Sequence, residues 1–199
     1  NAGGKTVALK SIGVLCLMAL SGMHTPADSG TTFPFLMRIF ADIGDDQSIE
    51  QNLSTFSARI KRISDVVRQS GSDTVIIIDE LGTGTDPSLG GAIAEAALEK
   101  LSEIEAFGVV TTHYSNLKLL AGRVPGILNG AMLFDTRRLQ PLYILASGKP
   151  GSSFTFEIAR RIGFPEEVIQ SAIGKAGKTH LDFEQQLQEV ETEKLRLEK

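Results

Sequence analysis

The sequence predicts an α/β domain in which helices cover both faces of a parallel sheet. Segments with the pattern of strands alternate with segments of helical periodicity, an order typical of parallel βαβ units. One segment, residues 74–78, is an unbroken β-branched run, which indicates a strand buried on both faces. The chain has 199 residues, which is enough for one such domain with a sizeable core.

The other elements are predicted from apolar periodicity and from the positions of glycine and proline. The predicted helices are 6–22, 53–67, 87–105, 154–162 and 165–176. The predicted strands are 38–43, 74–78, 109–112, 131–134 and 142–145. We expect the third strand to be buried like the second, and the last two to form a hairpin at one edge.

The composition is that of an ordinary globular protein, with 42% hydrophobic and 22% charged residues. The net charge is −4, so contacts with nucleic acid would have to come from a local basic patch or from protein outside this sequence. A single cysteine, Cys16, excludes an internal disulfide and fits a reducing cytoplasm. The apolar run 7–20 is too short to cross a bilayer, so we expect a buried helix and no contact with a membrane.

The first six residues match the second half of a phosphate-binding loop, G-x-x-x-x-G-K-[ST], so we expect the sequence to be part of a longer protein. Glycine lets backbone N–H groups turn toward a phosphate, and Lys5 supplies charge to the β- and γ-phosphates of ATP. The Thr6 hydroxyl is a ligand for Mg²⁺. The alternative is a glycine turn followed by a stray lysine. The expected phosphate-binding residues are Asn1, Ala2, Gly3, Gly4, Lys5 and Thr6.

Two carboxylates, Asp79 and Glu80, directly follow the predicted buried strand. Ligands of doubly wound sheets bind at the carboxyl ends of the strands. We expect Asp79 to hold Mg²⁺ through its water shell, together with Thr6, and Glu80 to polarise the water that attacks ATP. The alternative is a strand that ends in a solvated acidic turn, which is common for one carboxylate and less common for two.

Three further segments are candidates for contact with the nucleotide or with a second subunit. His113 follows a predicted strand, where a neutral imidazole can hydrogen-bond a γ-phosphate or the attacking water, although a lone histidine there is more often a surface residue. Ser54 and Thr55 begin a predicted helix, where they are normal capping residues and also suit a γ-phosphate. A tight loop beside Glu80 must lie at the active site or at an adjoining subunit. The residues of this loop are Gly84, Thr85 and Asp86.

In this order and within this length, the motifs resemble the MutS family, which belongs to the ABC-type ATPases. The resemblance implies a three-layer P-loop fold and covers nearly the whole chain. It extends to 154–160 and 163–169, which look like the helix–turn–helix that braces the family's ATPase dimer. Within the family, Thr-Asp-Pro at 85–87 and Thr-Thr-His-Tyr at 111–114 resemble the second MutS branch. In mismatch-repair MutS, the loop usually continues Ser-Thr and the histidine follows Ala-Thr.

The resemblance implies a homodimer that holds two ATP molecules, with Ser54 of one subunit touching the γ-phosphate bound by Lys5 of the other. It implies binding to branched or recombining DNA and suppression of recombination, and stalled ribosomes are another target attributed to this branch. It also implies a cytoplasmic protein with a coiled coil that leads to a nuclease-type (Smr) domain. We therefore divide the chain into an ATPase domain (1–150), a helix–turn–helix (151–177) and the start of a coiled coil (178–199).

Three alternatives remain open from the sequence. The first is mismatch-repair MutS itself, which senses mispaired DNA. The second is the nucleotide-binding subunit of an ABC transporter, which would need a Leu-Ser-Gly-Gly-Gln signature where this chain has Leu-Ser-Thr-Phe at 53–56. The third is a dimerisation module with an inactive site, against which the intact Lys5, Asp79, Glu80 and His113 argue.

Overall fold

A computed structural model describes residues 4–44, 52–135, 138, 140–148, 151 and 155–176, and for residues 52–55 it describes the backbone alone. The described residues form two compact units. The first runs from Lys5 to Ile127, and the second comprises Gly4 and the residues from Leu128 onward. The predicted coiled-coil segment, 178–199, lies outside the described residues. The domain boundary at residue 150 stays a prediction.

The first unit contains a parallel sheet with the strand order β1-β2-β3 among the described residues, so that β2 lies in the middle. The mixed α/β class and the parallel sheet are therefore confirmed. Its elements are α1 (Lys5–Leu20), β1 (Arg38–Asp42), α2 (Asn52–Gln69), β2 (Thr74–Ile78), α3 (Pro87–Glu103), β3 (Phe107–Val110) and α4 (Ser115–Leu120). None of the helices in the described part of the chain is long and apolar enough to span a membrane.

Strand β2 organises the core, because all of its residues are buried and successive side chains point to opposite faces of the sheet. Val75 and Ile77 pack with Leu9 and Cys16 of α1. Residues 76 and 78 pack on the other face with apolar side chains of α2, α3 and α4. Helices therefore cover both faces of the middle strand, as the sequence predicts. Burial among these apolar groups also raises the pKa of the Cys16 thiol.

Strand β3 differs from its prediction in position and in burial. It lies two residues earlier than expected, at Phe107–Val110, and both Phe107 and Gly108 are exposed. The prediction of a buried strand was wrong because β3 pairs with β2 on one side only, among the described residues, and so forms an edge. Pairing nevertheless continues past the strand, because the Thr111 N–H donates to the Ile78 carbonyl at 2.9 Å.

Helix α4 was not predicted, and a polar network joins it to α3. The Asn116 side-chain amide donates to the Gly91 carbonyl at 3.0 Å and to the Glu95 carboxylate at 2.7 Å. Arg123 pairs with the same carboxylate at 2.6 Å. The hydrogen bond from Asn116, followed by that from Arg123, lowers the pKa of Glu95. The charged carboxylate thus ties the end of this unit to α3.

The second unit contains a hairpin and two helices, and the sequence predicts all four elements. The predicted place of the hairpin was wrong, because among the described residues it forms a two-stranded sheet of its own and does not extend an edge of the parallel sheet. Strands β4 (Gly130–Asp135) and β5 (Gln140–Ser147) pair antiparallel, with an irregularity between Met132 and Phe134. Helices α5 (Thr155–Arg161) and α6 (Glu166–Ala176) follow, joined by a short turn in which Gly163 has φ +84°. Arg160 pairs with Glu166 across this turn at 3.3 Å. These contacts define the helix–turn–helix shape.

The loop that follows β2 lies directly on α3, and two glycines permit this close approach. A Cβ added at Gly90 would lie 2.2 Å from the Gly82 carbonyl oxygen, and one added at Gly82 would lie 2.6 Å from the Gly90 carbonyl oxygen. The buried Tyr114 hydroxyl donates to the Gly82 carbonyl at 3.0 Å. Burial, with the negative charges of Asp86 and Glu80, raises the pKa of Tyr114, so the hydroxyl remains a donor.

We expect Gly90→Ala to destabilise the protein, because the added methyl group would collide with the Gly82 carbonyl. Overpacking costs about 1–3 kcal/mol, and the gain in helix propensity, about 1 kcal/mol, offsets only part of it. Thermal unfolding of the full-length protein measures the difference. Gly174→Ala is the matched control, because Gly174 also lies inside a helix and an added Cβ there meets no atom within 4 Å. Equal stability of the two variants would contradict this account of the loop.

Candidate functional site

The carboxyl ends of the three parallel strands bring polar residues together at one edge of the sheet. Asp42 ends β1, Asp79 follows β2, and Thr111 follows β3. Backbone hydrogen bonds extend the pairing to these positions, because the Asp79 N–H donates to the Asp42 carbonyl at 2.9 Å and the Leu81 N–H donates to the Thr111 carbonyl at 3.0 Å. This edge is where ligands of such sheets bind.

The Asp79 carboxylate lies at the centre of this edge, between two hydroxyl groups. The Thr6 hydroxyl, in the first turn of α1, donates to Asp79 Oδ2 at 2.8 Å. The Thr111 hydroxyl donates to the other oxygen, Asp79 Oδ1. The two hydroxyl groups fix the plane of the carboxylate, and they bring the start of α1 to the end of β2. An adjacent hydroxyl and carboxylate are oxygen donors of the kind that Mg²⁺ prefers.

Glu80 has an unusual backbone that is held at both ends. Its φ is +55°, in the left-handed region, which is costly for a residue with a side chain and persists only where the surroundings enforce it. The Glu80 N–H donates to the Thr111 hydroxyl at 2.8 Å. The Glu80 carbonyl accepts from the Thr83 hydroxyl at 2.9 Å. Its side chain is exposed, so the carboxylate faces out from a fixed backbone.

The phosphate-binding loop is described only in its last part. Asn1, Ala2 and Gly3 lie outside the described residues. Gly4 is buried and has φ +81°, a conformation that favours glycine. Within its unit, a Cβ added at Gly4 would lie 2.8 Å from Tyr143 Cδ1, so a side chain has no room. In the other unit, Lys5 begins α1 with an exposed side chain.

The remaining predicted residues lie around the same strand ends or on α2. Ser54 and Thr55 belong to the first turn of α2, and their side chains lie outside the described part of the chain. The exposed His113 imidazole contacts the Tyr114 ring, with ring centroids 4.5 Å apart. In the loop beside Glu80, Gly84 has φ +95° and Thr85 is half-buried. Asp86 caps α3, because its carboxylate accepts from two backbone N–H groups at 3.0 and 3.2 Å.

Three residues that were not predicted as site residues hold the Asp79 carboxylate and the Glu80 backbone in place. Thr111 belongs to the motif that contains His113, and its hydroxyl donates to the Asp79 carboxylate and accepts from the Glu80 N–H. Thr83 bonds the Glu80 carbonyl, and Arg59 donates to the Thr83 hydroxyl. A hydroxyl residue directly after the strand that neighbours an acidic strand end was the signal for Thr111. The sequence held no comparable signal for Arg59.

These features define the class of the protein as a nucleotide-binding α/β domain with its site at the carboxyl ends of parallel strands. The model of the family "MutS domain V" matches residues 1–180, and the chain therefore belongs to this family. MutS domain V is an ATPase domain, so the expected enzyme class is confirmed. The parallel sheet described above is consistent with its P-loop, ABC-type fold.

The chain is also similar to curated proteins named endonuclease MutS2. It is 47% identical over 191 residues to the protein of Pelotomaculum thermopropionicum, covering 96% of this chain and 24% of that protein. It is 50% identical over 172 residues to that of Thermomicrobium roseum, covering 86% and 22%. It is 46% identical over 198 residues to that of Clostridium kluyveri, covering 100% of this chain and 25% of that protein. The chain spans about a quarter of the length of these relatives, and the resemblance to the second MutS branch is confirmed.

We expect Thr111→Val to lower the ATPase rate of the full-length protein by about tenfold or more, the scale expected when reacting groups are misplaced. Valine keeps the branched shape of threonine but removes the hydroxyl that bonds Asp79 and Glu80. Thr111→Ser keeps the hydroxyl and should retain most of the activity. Thr112→Val is the matched control, because the Thr112 hydroxyl bonds the Tyr114 N–H and neither carboxylate. Equal rates for the two valine variants would show that Thr111 has no special role.

Proposed function

We propose that this chain binds Mg²⁺ and ATP at the edge of the sheet and hydrolyses ATP as one half of a dimer. In this proposal the dimer is a nucleotide-controlled clamp on DNA. The observation that carries it is the contact between Thr6 and Asp79 at 2.8 Å. This contact joins the end of the phosphate-binding loop to the acidic end of the buried strand, which is the combination that binds a metal and phosphates in P-loop proteins.

In this proposal the phosphates of ATP lie against residues 1–6. Backbone N–H groups of Asn1, Ala2, Gly3 and Gly4 would face the phosphates, and the exposed Lys5 ammonium would neutralise them. The N-terminus of α1 adds the favourable end of the helix dipole. The Thr6 hydroxyl and the Asp79 carboxylate fit Mg²⁺, because both are hard oxygen donors and their oxygens are already adjacent. The ion, when bound, would neutralise charge on the phosphates.

We assign hydrolysis to Glu80 and His113. The fixed backbone of Glu80 would aim its exposed carboxylate at the attacking water and polarise it. His113 follows the neighbouring strand and has an exposed imidazole. In the neutral form this ring can hydrogen-bond a γ-phosphate or the same water, and so distinguish ATP from ADP.

The second half of the site comes from the other subunit in this proposal. Helix α1 packs on one face of the sheet and α2 packs on the opposite face. Two helix starts from opposite faces of one sheet do not readily converge on a single γ-phosphate, so we assign Ser54 and Thr55 to the partner's nucleotide. The loop with Gly84, Thr85 and Asp86 would line the contact. We assign α5 and α6 to bracing the dimer.

The target of the whole protein is proposed from the relatives. They are named endonuclease MutS2, which favours the second MutS branch over mismatch-repair MutS. We therefore propose branched or recombining DNA as the ligand, with stalled ribosomes as a second target of the same clamp, and a cytoplasmic location in bacteria. The lone, buried Cys16 fits that compartment. If full-length protein preferred a mispaired duplex over a four-way junction, mismatch-repair MutS would be the better description.

Mixing two inactive full-length variants tests the shared site. Lys5→Ala disables the phosphate-binding loop, and Ser54→Ala disables the proposed contact in trans. In a mixed dimer, one site combines an intact Lys5 with an intact Ser54 from the other chain. We expect an equal mixture to recover about one quarter of wild-type ATPase activity, because half of the dimers are mixed and each has one complete site.

The control is Ser57→Ala measured alone, since Ser57 is an exposed serine on the same helix. This variant should keep the wild-type ATPase rate, so that the loss in Ser54→Ala is specific to position 54. Native mass spectrometry of differently tagged subunits verifies that mixed dimers form. If they form and the mixture stays as inactive as either parent, the site is not shared. Ser54 would then be only a residue of the first turn of α2, without a part in hydrolysis.

A further inference from the structure

A pocket lies between the first half of α2 and the segment that follows β2. Phe56 and Arg59 line it from the helix, and Glu80 and Thr83 line it from the other side. The walls of the pocket therefore belong to two segments with different proposed roles. The helix carries Ser54, which we assign to the partner's nucleotide, and the segment after β2 carries Glu80, which we assign to the attacking water.

A chain of two hydrogen bonds crosses this pocket. The half-buried Arg59 guanidinium donates through Nη1 to the Thr83 hydroxyl. That hydroxyl donates to the Glu80 carbonyl at 2.9 Å, and the Thr83 N–H donates to the same carbonyl at 3.3 Å. The hydroxyl thus uses its acceptor site for the arginine and its proton for Glu80. The arginine orients the hydroxyl, because an oxygen that accepts on one side directs its own proton elsewhere.

The Glu80 backbone needs such support. Its φ of +55° is unfavourable for a residue with a side chain and persists only where the surrounding contacts enforce it. Thr111 holds its N–H, and Thr83 holds its carbonyl. Release of either end would let the peptide rotate and turn the exposed carboxylate away from its present direction.

Helix α2 links this support to Ser54. Arg59 lies five residues after Ser54 on the same helix, a separation of about 7.5 Å along the axis. A second arginine of the helix contacts a different strand end, because Arg62 forms an ion pair with Asp42 at the end of β1 at 3.1 Å. Arg59 and Arg62 therefore tie one helix to two different strand ends, and Arg59 reaches the Glu80 segment through Thr83.

We propose that Arg59 is a positioning residue for Glu80. It holds the Glu80 peptide in place through Thr83, and it makes this placement depend on α2, the helix whose start we assign to the partner's nucleotide. ATP bound in one site would then influence hydrolysis in the other site through Arg59. The inference rests on the proposed function, because only there do Ser54 and Glu80 of one chain serve different sites.

The test compares steady-state ATP hydrolysis and binding of a non-hydrolysable ATP analogue in full-length variants. Arg59→Met keeps the apolar stem and removes the donor, and Thr83→Val keeps the shape and removes the hydroxyl. We expect each to lower kcat by about tenfold, the scale of a misplaced reacting group. Affinity for the analogue should stay within about twofold of wild type, since neither residue is assigned to the nucleotide. The double variant should be no slower than either single variant, because both break the same chain.

Two further variants separate positioning from packing. Thr83→Ser retains the hydroxyl and should keep a kcat close to that of wild type. Arg62→Met removes the other arginine that ties α2 to the sheet and should have much less effect on kcat than Arg59→Met. Equal losses in the two arginine variants, or a loss of analogue affinity that matches the loss of kcat, would overturn the inference. If Arg59→Met does not fold, the two Thr83 variants test the inference. It holds if Thr83→Val loses kcat without losing affinity for the analogue while Thr83→Ser keeps both, and it fails if the two variants have the same kcat.

The outcomes also separate this inference from the proposed function. A folded wild-type protein without ATPase activity would overturn the proposed function and the inference with it. An active wild type whose Arg59→Met and Thr83→Val variants keep full kcat would overturn the inference alone.

Discussion

The Asp79 carboxylate is the point on which the geometry of the site depends. Its two oxygens accept from Thr6 at the start of α1 and from Thr111 after β3, so one side chain joins the helix that follows the phosphate-binding loop to two neighbouring strands. Its position comes from β2, the fully buried middle strand that places the carboxylate at the carboxyl edge of the sheet. Core packing and the chemistry of the site therefore meet at the end of a single strand.

The segment after Asp79 shows how a tight, unfavourable backbone can be kept in a folded protein. Glu80 has a left-handed conformation, and it is held by Thr111 on one side and by Thr83 on the other. The next turn packs against α3 where Gly82 contacts Gly90. The Tyr114 hydroxyl donates to the Gly82 carbonyl. These contacts come from the loop itself, from α3 and from the segment between β3 and α4. Arg59 of α2 bonds Thr83, and α3 contacts Gly82, so a change in the position of either helix would reach the loop that contains Glu80.

The sequence was sufficient to predict what depends on local pattern. The β-branched run at 74–78 and the apolar spacing of α2 gave elements whose bounds agree with the structure to within one or two residues. It was insufficient where the outcome depends on neighbours. β3 was predicted as buried because its residues are apolar, but strand order places it at an edge among the described residues. The hydrogen bond from Arg59 to Thr83 joins α2 to a loop that is distant in sequence, and no spacing rule identifies it. Thr111 does carry a signal, because it is a hydroxyl residue directly after the strand that neighbours an acidic strand end.

The central claim is that Asp79 forms a magnesium-dependent nucleotide site with Thr6, and the most direct measurement is the affinity of the full-length protein for ATP with Mg²⁺ and with EDTA. Asp79→Asn keeps the shape of the side chain and removes its charge, whereas Asp42→Asn makes the same change at the neighbouring strand end. We predict that Mg²⁺ strengthens ATP binding about tenfold or more in the wild type and in Asp42→Asn, as expected for an ion that bridges protein and phosphates. In a folded Asp79→Asn protein this enhancement should disappear. An enhancement of wild-type size in Asp79→Asn would contradict the claim.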